Sequence, residues 1–163
     1  MMDIILFWKL IEDAKQRSAG DLDQQVALST DALTSLETSD IATFDVLFHD
    51  CMTLAYTREL WAAAYIINGG CSDDGFDYFQ GWLIAQGKSI FQDACSDPET
   101  LLDNVDSQGV ELESILYVAQ EAYERKTGQA LPLHRQSIRE LNTPLWDEET
   151  KYAMYPRLAE RFG

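Results

Sequence analysis

Leu60-Trp61-Ala62-Ala63-Ala64-Tyr65-Ile66-Ile67-Asn68-Gly69-Gly70-Cys71-Ser72-Asp73-Asp74-Gly75-Phe76-Asp77-Tyr78-Phe79-Gln80-Gly81-Trp82-Leu83-Ile84-Ala85-Gln86-Gly87 decides the fold class. It divides at Asn68-Gly69-Gly70, where glycine takes the left-handed backbone conformation cheaply and stops a helix. Upstream, a helix starting at Arg58 sets Trp61, Ala64, Tyr65 and Asn68 on one side. Ala62 and Ala63 are small enough to admit a neighbouring helix. Downstream, Ser72 is a good N-cap, and Asp73 and Asp74 in the first turn complement the helix dipole. From Asp73 to about Ala85, Phe76, Phe79 and Leu83 make one apolar stripe, and Tyr78, Trp82 and Ala85 make another. A helix apolar over so wide an arc is a central one. Gly75 and Gly81 inside it cost about 1 kcal/mol each against alanine, which points to close backbone approach by a neighbour or a ligand.

The flanking chain repeats the helical period. Ile4, Phe7, Trp8, Ile11 and Ala14 form one face of an amphipathic helix, capped by Asp3 and ended by Ser18-Ala19-Gly20. Asp21 opens a second helix to about Leu36, with Leu22, Val26, Ser29, Leu33 and Leu36 on one side. A third starts at Thr38 or Ser39 as cap and carries Ile41, Phe44, Phe48, Cys51, Met52 and Ala55 to a bend near Tyr56-Thr57. Lys88–Cys95 is a short helix, and Asp97-Pro98-Glu99 starts another with proline at its first position. Glu111 to Lys126 reads as one helix, with Leu112, Ile115, Leu116, Ala119, Ala122 and Tyr123 inward and Gly128 as its stop. Beyond Gly128 the prolines Pro132, Pro144 and Pro156 predict an irregular arm wrapping the bundle, with a short helix at about Glu148 to Tyr155 and a turn at Pro156-Arg157-Leu158. Alternation of the β type is nearly absent. The expectation is an all-α, single-domain multi-helix bundle over 1–163: a helical body, 1–127, and an irregular C-terminal arm, 128–163.

A chain of 163 residues, 46% hydrophobic and 11% aromatic, can bury a real core. Its longest apolar runs, Ile4–Trp8 and Trp61–Ile67, fall far short of the ~18 residues a membrane helix needs. The N-terminus has neither a basic region nor a small-residue cleavage site, so the chain reads as cytoplasmic, with no membrane partner. Cys51, Cys71 and Cys95 are odd in number and widely spaced, which argues against a disulfide framework and a thiolate zinc site and for buried free thiols. A cysteine nucleophile would need His49 or His134 as its base; Asp45, four residues before His49, could orient that imidazole. Neither G-x-S-x-G nor H-E-x-x-H occurs, and no catalytic residue is assigned.

Charge is unevenly spread within the net −16. Residues 1–124 carry 23 acids and 5 bases, net −18, whereas 125–163 carry 5 acids and 7 bases, net +2. Stretches 18–57 and 89–124 hold no Lys or Arg. Such a field repels nucleic-acid phosphates and anionic membrane surfaces and attracts cations or basic proteins. Nucleic-acid contact is thereby confined to the mildly basic arm after residue 125.

The candidate site is the turn Gly69–Asp77. A glycine turn entering a helix can cradle phosphate through backbone N–H groups, but Asp73, Asp74 and Asp77 would repel an anion, and the Lys-Ser/Thr of a P-loop is missing. Asp73 and Asp77, four apart on one face, could instead chelate Mg²⁺ or Ca²⁺ through oxygen, although the alternating order of a calcium loop is absent. The competing structural reading makes Ser72 a cap, gives Asp73 and Asp74 to the dipole, and pairs Asp77 with Arg58 or Lys88. Trp61, Tyr65, Tyr78 and Trp82 could line a pocket or an aromatic base-stacking platform, but the missing basic residues around them favour core packing.

These same residues carry a family resemblance. Leu60-Trp61-x-Ala63-Ala64-Tyr65-x-Ile67-x-Gly69-Gly70-Cys71-Ser72-Asp73-Asp74-x-Phe76-x-Tyr78-Phe79-x-x-Trp82-Leu83-Ile84-x-x-Gly87 resembles the bacterial domain-of-unknown-function family 4240. Phe7-Trp8-x-Leu10-Ile11, Asp97-Pro98, Tyr123-Glu124 and Pro156-Arg157-Leu158-x-x-Arg161-Phe162 fit the same pattern. The resemblance implies a small bacterial protein, sometimes found beside regulatory or binding modules, and brings no cofactor or catalytic residue. Two functional readings lead, with nucleic-acid binding by the arm after residue 125 a distant third. One is an acidic interaction module that engages a basic protein partner, in a regulatory or toxin-neutralising role. The other is a small-ligand or divalent-cation binder, or an enzyme, with a site at Trp61, Tyr65, Ser72, Asp73, Asp74, Asp77 and Trp82. Burial of the aspartates discriminates between them.

Overall fold

The computed structural model describes residues 1–106, 109–132 and 148–163, and all regular structure within them is helical. Among the described residues nine α-helices follow one another: α1 Ile4–Ser18, α2 Leu22–Thr34, α3 Thr38–Leu54, α4 Arg58–Asn68, α5 Asp73–Ala85, α6 Lys88–Ser96, α7 Val118–Thr127, α8 Glu148–Met154 and α9 Pro156–Phe162. Short 3₁₀ segments occupy Pro98–Asp103 and Ser114–Tyr117. The all-α reading is correct.

Helix α5 is central, touching α1, α3, α4, α6 and the 3₁₀ turn Ser114–Tyr117. Its wide apolar arc buries Phe76, Phe79, Trp82, Leu83, Ile84 and Ala85. Two buried glutamines tie it to neighbours. Gln80 Nε2 donates to the Met52 carbonyl at 2.8 Å, joining α5 to the end of α3, and Gln25 Nε2 in α2 donates to the Ala85 carbonyl at 2.7 Å. Each gives a buried carbonyl the partner it would otherwise lack.

Gly81 admits the expected close approach. A methyl group there would sit 2.8 Å from both Ile115 Cγ2 and the Leu112 carbonyl oxygen. The second contact explains a departure from the sequence reading. Glu111–Glu113 is not the first turn of an α-helix but an irregular passage laid across α5, with Leu112 N–H donating to the Tyr78 carbonyl at 2.9 Å. Asn68 holds the start of this passage: its Oδ1 accepts from Gly109 N–H at 3.1 Å and Val110 N–H at 2.8 Å, and its Nδ2 donates to the Val110 carbonyl at 3.2 Å. The expected helix is therefore delayed to Val118 and ends at Gly128, which takes a left-handed φ of 73°. Gly75 meets no neighbouring element; the nearest atom to a methyl there is its own cap, Ser72 Oγ, at 3.3 Å.

Other boundaries shift for local reasons. Asp3 and Asp21 cap α1 and α2 as expected. Glu37, not Thr38 or Ser39, stands at the N-cap of α3, without a side-chain bond. On α4 the buried side is Leu60, Ala63, Ala64 and Ile67 with Ala62 and Ile66, while Trp61 and Tyr65 are half-buried. Ile4 is largely exposed, the outer edge of the α1 face. Pro98 opens a 3₁₀ turn rather than an α-helix. Pro156 starts α9 where a turn was expected, because proline at the first helical position forfeits no hydrogen bond. Helices α8 and α9 rest on α4 and on Pro98–Asp103. The expected irregular course between them and α7, including His134, lies largely outside the described residues.

Candidate functional site

The turn that leads into α5 is built by its caps. Gly69, at φ 70°, ends α4, and Gly70 N–H donates to the Tyr65 carbonyl at 2.9 Å. Trp61 Nε1 then reaches across to the Cys71 carbonyl at 3.0 Å and pins the turn to α4. Ser72 Oγ accepts from Gly75 N–H at 3.1 Å and starts α5. Replacing Ser72 by alanine leaves that donor without its cap and is expected to destabilise the chain by about 1 kcal/mol. Urea denaturation with an unchanged m-value checks it.

Ser72, Asp73 and Asp74 are exposed, and Asp77 one turn further on is half-buried. Beside them, partial burial and then the Glu113 carboxylate push the Tyr78 and Tyr117 phenols up, with a further contribution from Asp74. Tyr117 donates to Glu113 at 3.3 Å. The exposed carboxylates and the Tyr117 phenol form a carboxylate–phenol surface. Among the described residues no group of three or more His, Cys, Asp or Glu side chains is arranged to hold a metal ion.

The aromatic candidates are dispersed. Trp61 stacks on Phe76 with ring centroids 4.8 Å apart and planes at 20°, and belongs to the edge of the core. Tyr65 carries the Lys151 ammonium over its ring, 3.1 Å from the centroid. Trp82 lies nine residues along α5 from Asp73, about 13 Å on the helical rise. It lines a separate cleft of about 350 Å³ with Lys15, Gln25, Gln86 and Val110. The structure thus brings Ser72, Asp73 and Asp74 together, ties Trp61 to the same turn, engages the Tyr65 ring with Lys151, and separates Trp82 from that group.

Polar groups of the cleft serve the carbonyl end of α5. Lys15 Nζ donates to the Gln86 carbonyl at 3.0 Å, and Gln86 Nε2 to the Trp82 carbonyl at 3.2 Å. Burial lowers the Lys15 pKa, and Glu12 opposes that shift. Neither Lys15 nor Gln25 was a candidate by sequence. The available signal was Gln25 standing between Leu22 and Ser29 on the apolar side of α2, a polar residue where burial demands a partner.

Nucleophilic chemistry finds little support. Cys51 is buried and Cys71 and Cys95 are half-buried. Burial raises the Cys51 and Cys71 thiols to about 12 and that of Cys95 to about 11, with nearby carboxylates adding at the first two. Thiols so shifted stay protonated at neutral pH and are poor nucleophiles. His49 Nδ1 lies 2.8 Å from the Asp45 carbonyl and 3.5 Å from its buried carboxylate, so Asp45 does orient the ring, chiefly through its backbone.

Searches of the curated proteins and of the solved structures find no match to the chain. A family model described as "Protein of unknown function (DUF4240)" matches residues 2–125, which takes in α1 to α6, the turn into α5 and most of α7. The chain belongs to that family of unknown function.

Proposed function

We propose that the chain is a protein-binding module whose carboxylate-rich body engages a basic protein partner, in a regulatory or neutralising role inside the cell. The observation that carries this reading is the charge asymmetry, net −18 over residues 1–124 from 23 acids and 5 bases. A field of that sign steers a cationic protein and speeds its association. Exposure of Asp73 and Asp74 favours this reading over a ligand pocket at the turn.

A small-ligand function draws its support from another place, the cleft at Trp82, whose volume of about 350 Å³ lies at the low end for ligand sites. A thermal-shift screen against Mg²⁺, Ca²⁺, nucleotides and common metabolites separates the readings, run on the wild type, Asp73→Asn, Asp74→Asn and Trp82→Leu. A ligand at 100 times its dissociation constant adds about 2.7 kcal/mol, several degrees in a chain of this length. The protein-binding reading expects no such shift. A shift abolished by the aspartate variants would move the function to the turn, and one abolished only by Trp82→Leu would move it to the cleft.

A further inference from the structure

Lys151, Tyr155, Leu158 and Phe162 recur at i, i+4, i+7 and i+11, the spacing of a single helical face. All four are buried, at 0%, 8%, 0% and 8% exposure, although Pro156 divides the segment into α8 and α9. The surface that buries them is α4 together with Pro98–Asp103. Helix-in-groove recognition leaves this signature: anchors at i, i+4 and i+7 seated in a surface formed by other elements.

The contacts are those of a docked cationic peptide. The Lys151 ammonium rests 3.1 Å above the centre of the Tyr65 ring, an attraction that strengthens when the charge is taken from water. Glu99 reaches over from the 3₁₀ segment, and its Oε2 accepts from Arg157 N–H at 3.1 Å, so the groove supplies the cap that α9 lacks within itself. Arg161 Nη1 donates to the Leu102 carbonyl at 2.8 Å, satisfying the end of the same 3₁₀ turn. Burial, then Glu59, Asp97 and Glu99 against an opposing Arg58, push the Tyr155 phenol up, which places an acidic rim around that anchor. Charges are complementary across the contact. The groove carries Glu59, Asp97, Glu99 and Asp103 with Arg58, whereas residues 151–162 carry Lys151, Arg157 and Arg161 with Glu160.

Residues 58–68 and 98–103 fall inside the family match, which ends at residue 125, and the occupant, residues 151–162, falls outside it. The occupant packs locally, since α8 and α9 touch chiefly each other, α4 and Pro98–Asp103, and Tyr155, Leu158 and Phe162 join the hydrophobic core through that one face.

We propose that the face of α4 and Pro98–Asp103 is a docking groove for a cationic amphipathic helix of a partner protein, and that the chain's own residues 151–162 are its resting occupant. The proposal rests on the reading of a basic protein partner and names the surface and shape that partner must fit. A partner helix then competes with the tail, and its apparent affinity is reduced by the fraction of time the groove is filled.

The test uses the full chain and a fluorescent peptide of residues 148–163 as probe, read by anisotropy. Wild type is expected to bind the peptide at least about tenfold more weakly than the double variant Leu158→Asp, Phe162→Ala, in which the tail is released. Adding Glu99→Lys or Tyr65→Ala to that variant is expected to abolish binding, and a scrambled peptide of the same composition is expected not to bind. Equal binding of the scrambled peptide would overturn the groove and leave a general electrostatic attraction standing. No peptide binding to a folded double variant would also overturn it. Should the double variant lose its cooperative melt, a wild-type chain cut at a protease site inserted after the exposed Gly128 decides the matter. Exchange of its tail for labelled peptide in a body that still melts cooperatively supports the groove. A tail that cannot exchange, or whose loss unfolds the body, makes α8 and α9 part of the core and overturns it.

Discussion

Replacing Phe76 by alanine is expected to destabilise the chain by about 3–5 kcal/mol, the usual range for a fully buried phenylalanine. Phe76 is 0% exposed and central to an aromatic group: Trp61 lies 4.8 Å away, Tyr56 5.8 Å and Phe79 6.3 Å, measured between ring centroids. Truncation empties the space between α4 and α5 and removes a stacked pair, which itself contributes about 0.5–1.5 kcal/mol. At roughly 2–4 °C per kcal/mol for a chain of this length, the melting temperature falls by about 6–20 °C. Calorimetry checks this directly. A fall of only a degree or two would mean that the aromatic group under the turn is not part of the core.

Gly81→Val is expected to be the second large effect, and its contrast with Gly75→Ala is the sharper observation. At Gly81 a Cβ falls 2.8 Å from a backbone oxygen, that of Leu112, and 2.8 Å from Ile115 Cγ2. The passage at Glu111–Glu113 must move away, and overpacking of this kind costs about 1–3 kcal/mol or more, exceeding the ~1 kcal/mol gained by removing glycine from a helix. At Gly75 the nearest atom is the Ser72 hydroxyl at 3.3 Å, which can yield by a few tenths of an ångström. Gly75→Ala is therefore expected to be neutral or to stabilise by up to about 1 kcal/mol. Chemical denaturation of both variants checks the pair. Similar destabilisation by each would contradict the account of why α5 carries these glycines.

Local chemistry made much of the fold legible. Asp3, Asp21 and Ser72 cap their helices because a short oxygen-bearing side chain before an apolar period satisfies the exposed amides. Gly69 and Gly128 end theirs in the left-handed conformation. What was not legible depends on contacts between residues distant in the chain. The helical period of 112–123 is real, but nothing local reveals that Gly81 admits the Leu112 carbonyl, or that Asn68 binds residues 109 and 110 some forty positions away. Gln25 stands on the apolar side of α2 and Gln80 within the apolar arc of α5, but nothing local names the carbonyls of Ala85 and Met52 as their partners.

The candidate site was legible to the same degree. Ser72 as cap and the adjacent acids are local features, and they came out as read. Trp61, Tyr65 and Trp82 were grouped with them because aromatic side chains near a turn can line a pocket. Their surroundings come from elsewhere: a backbone carbonyl for Trp61, the distant Lys151 for Tyr65, and α1 and α2 for Trp82.

The measurement that bears most directly on the central claim is capture of binding proteins by the immobilised chain, wild type against the triple reversal Asp23→Lys, Glu37→Lys and Asp50→Lys. All three aspartate and glutamate positions are exposed and lie in the stretch 18–57 that has no Lys or Arg. Glu37 stands at the N-cap of α3 without a side-chain bond and Asp23 in the first turn of α2, so the reversals cost about 0.3–1 kcal/mol each at those two positions, and a cooperative melt of the triple variant is checked first. The expected result is a partner of basic isoelectric point that binds the purified wild type directly, is released at high salt, and associates at least about tenfold more slowly with the triple variant. A partner retained equally by both chains, with a rate indifferent to salt, would contradict the claim that the acidic body is what the protein uses.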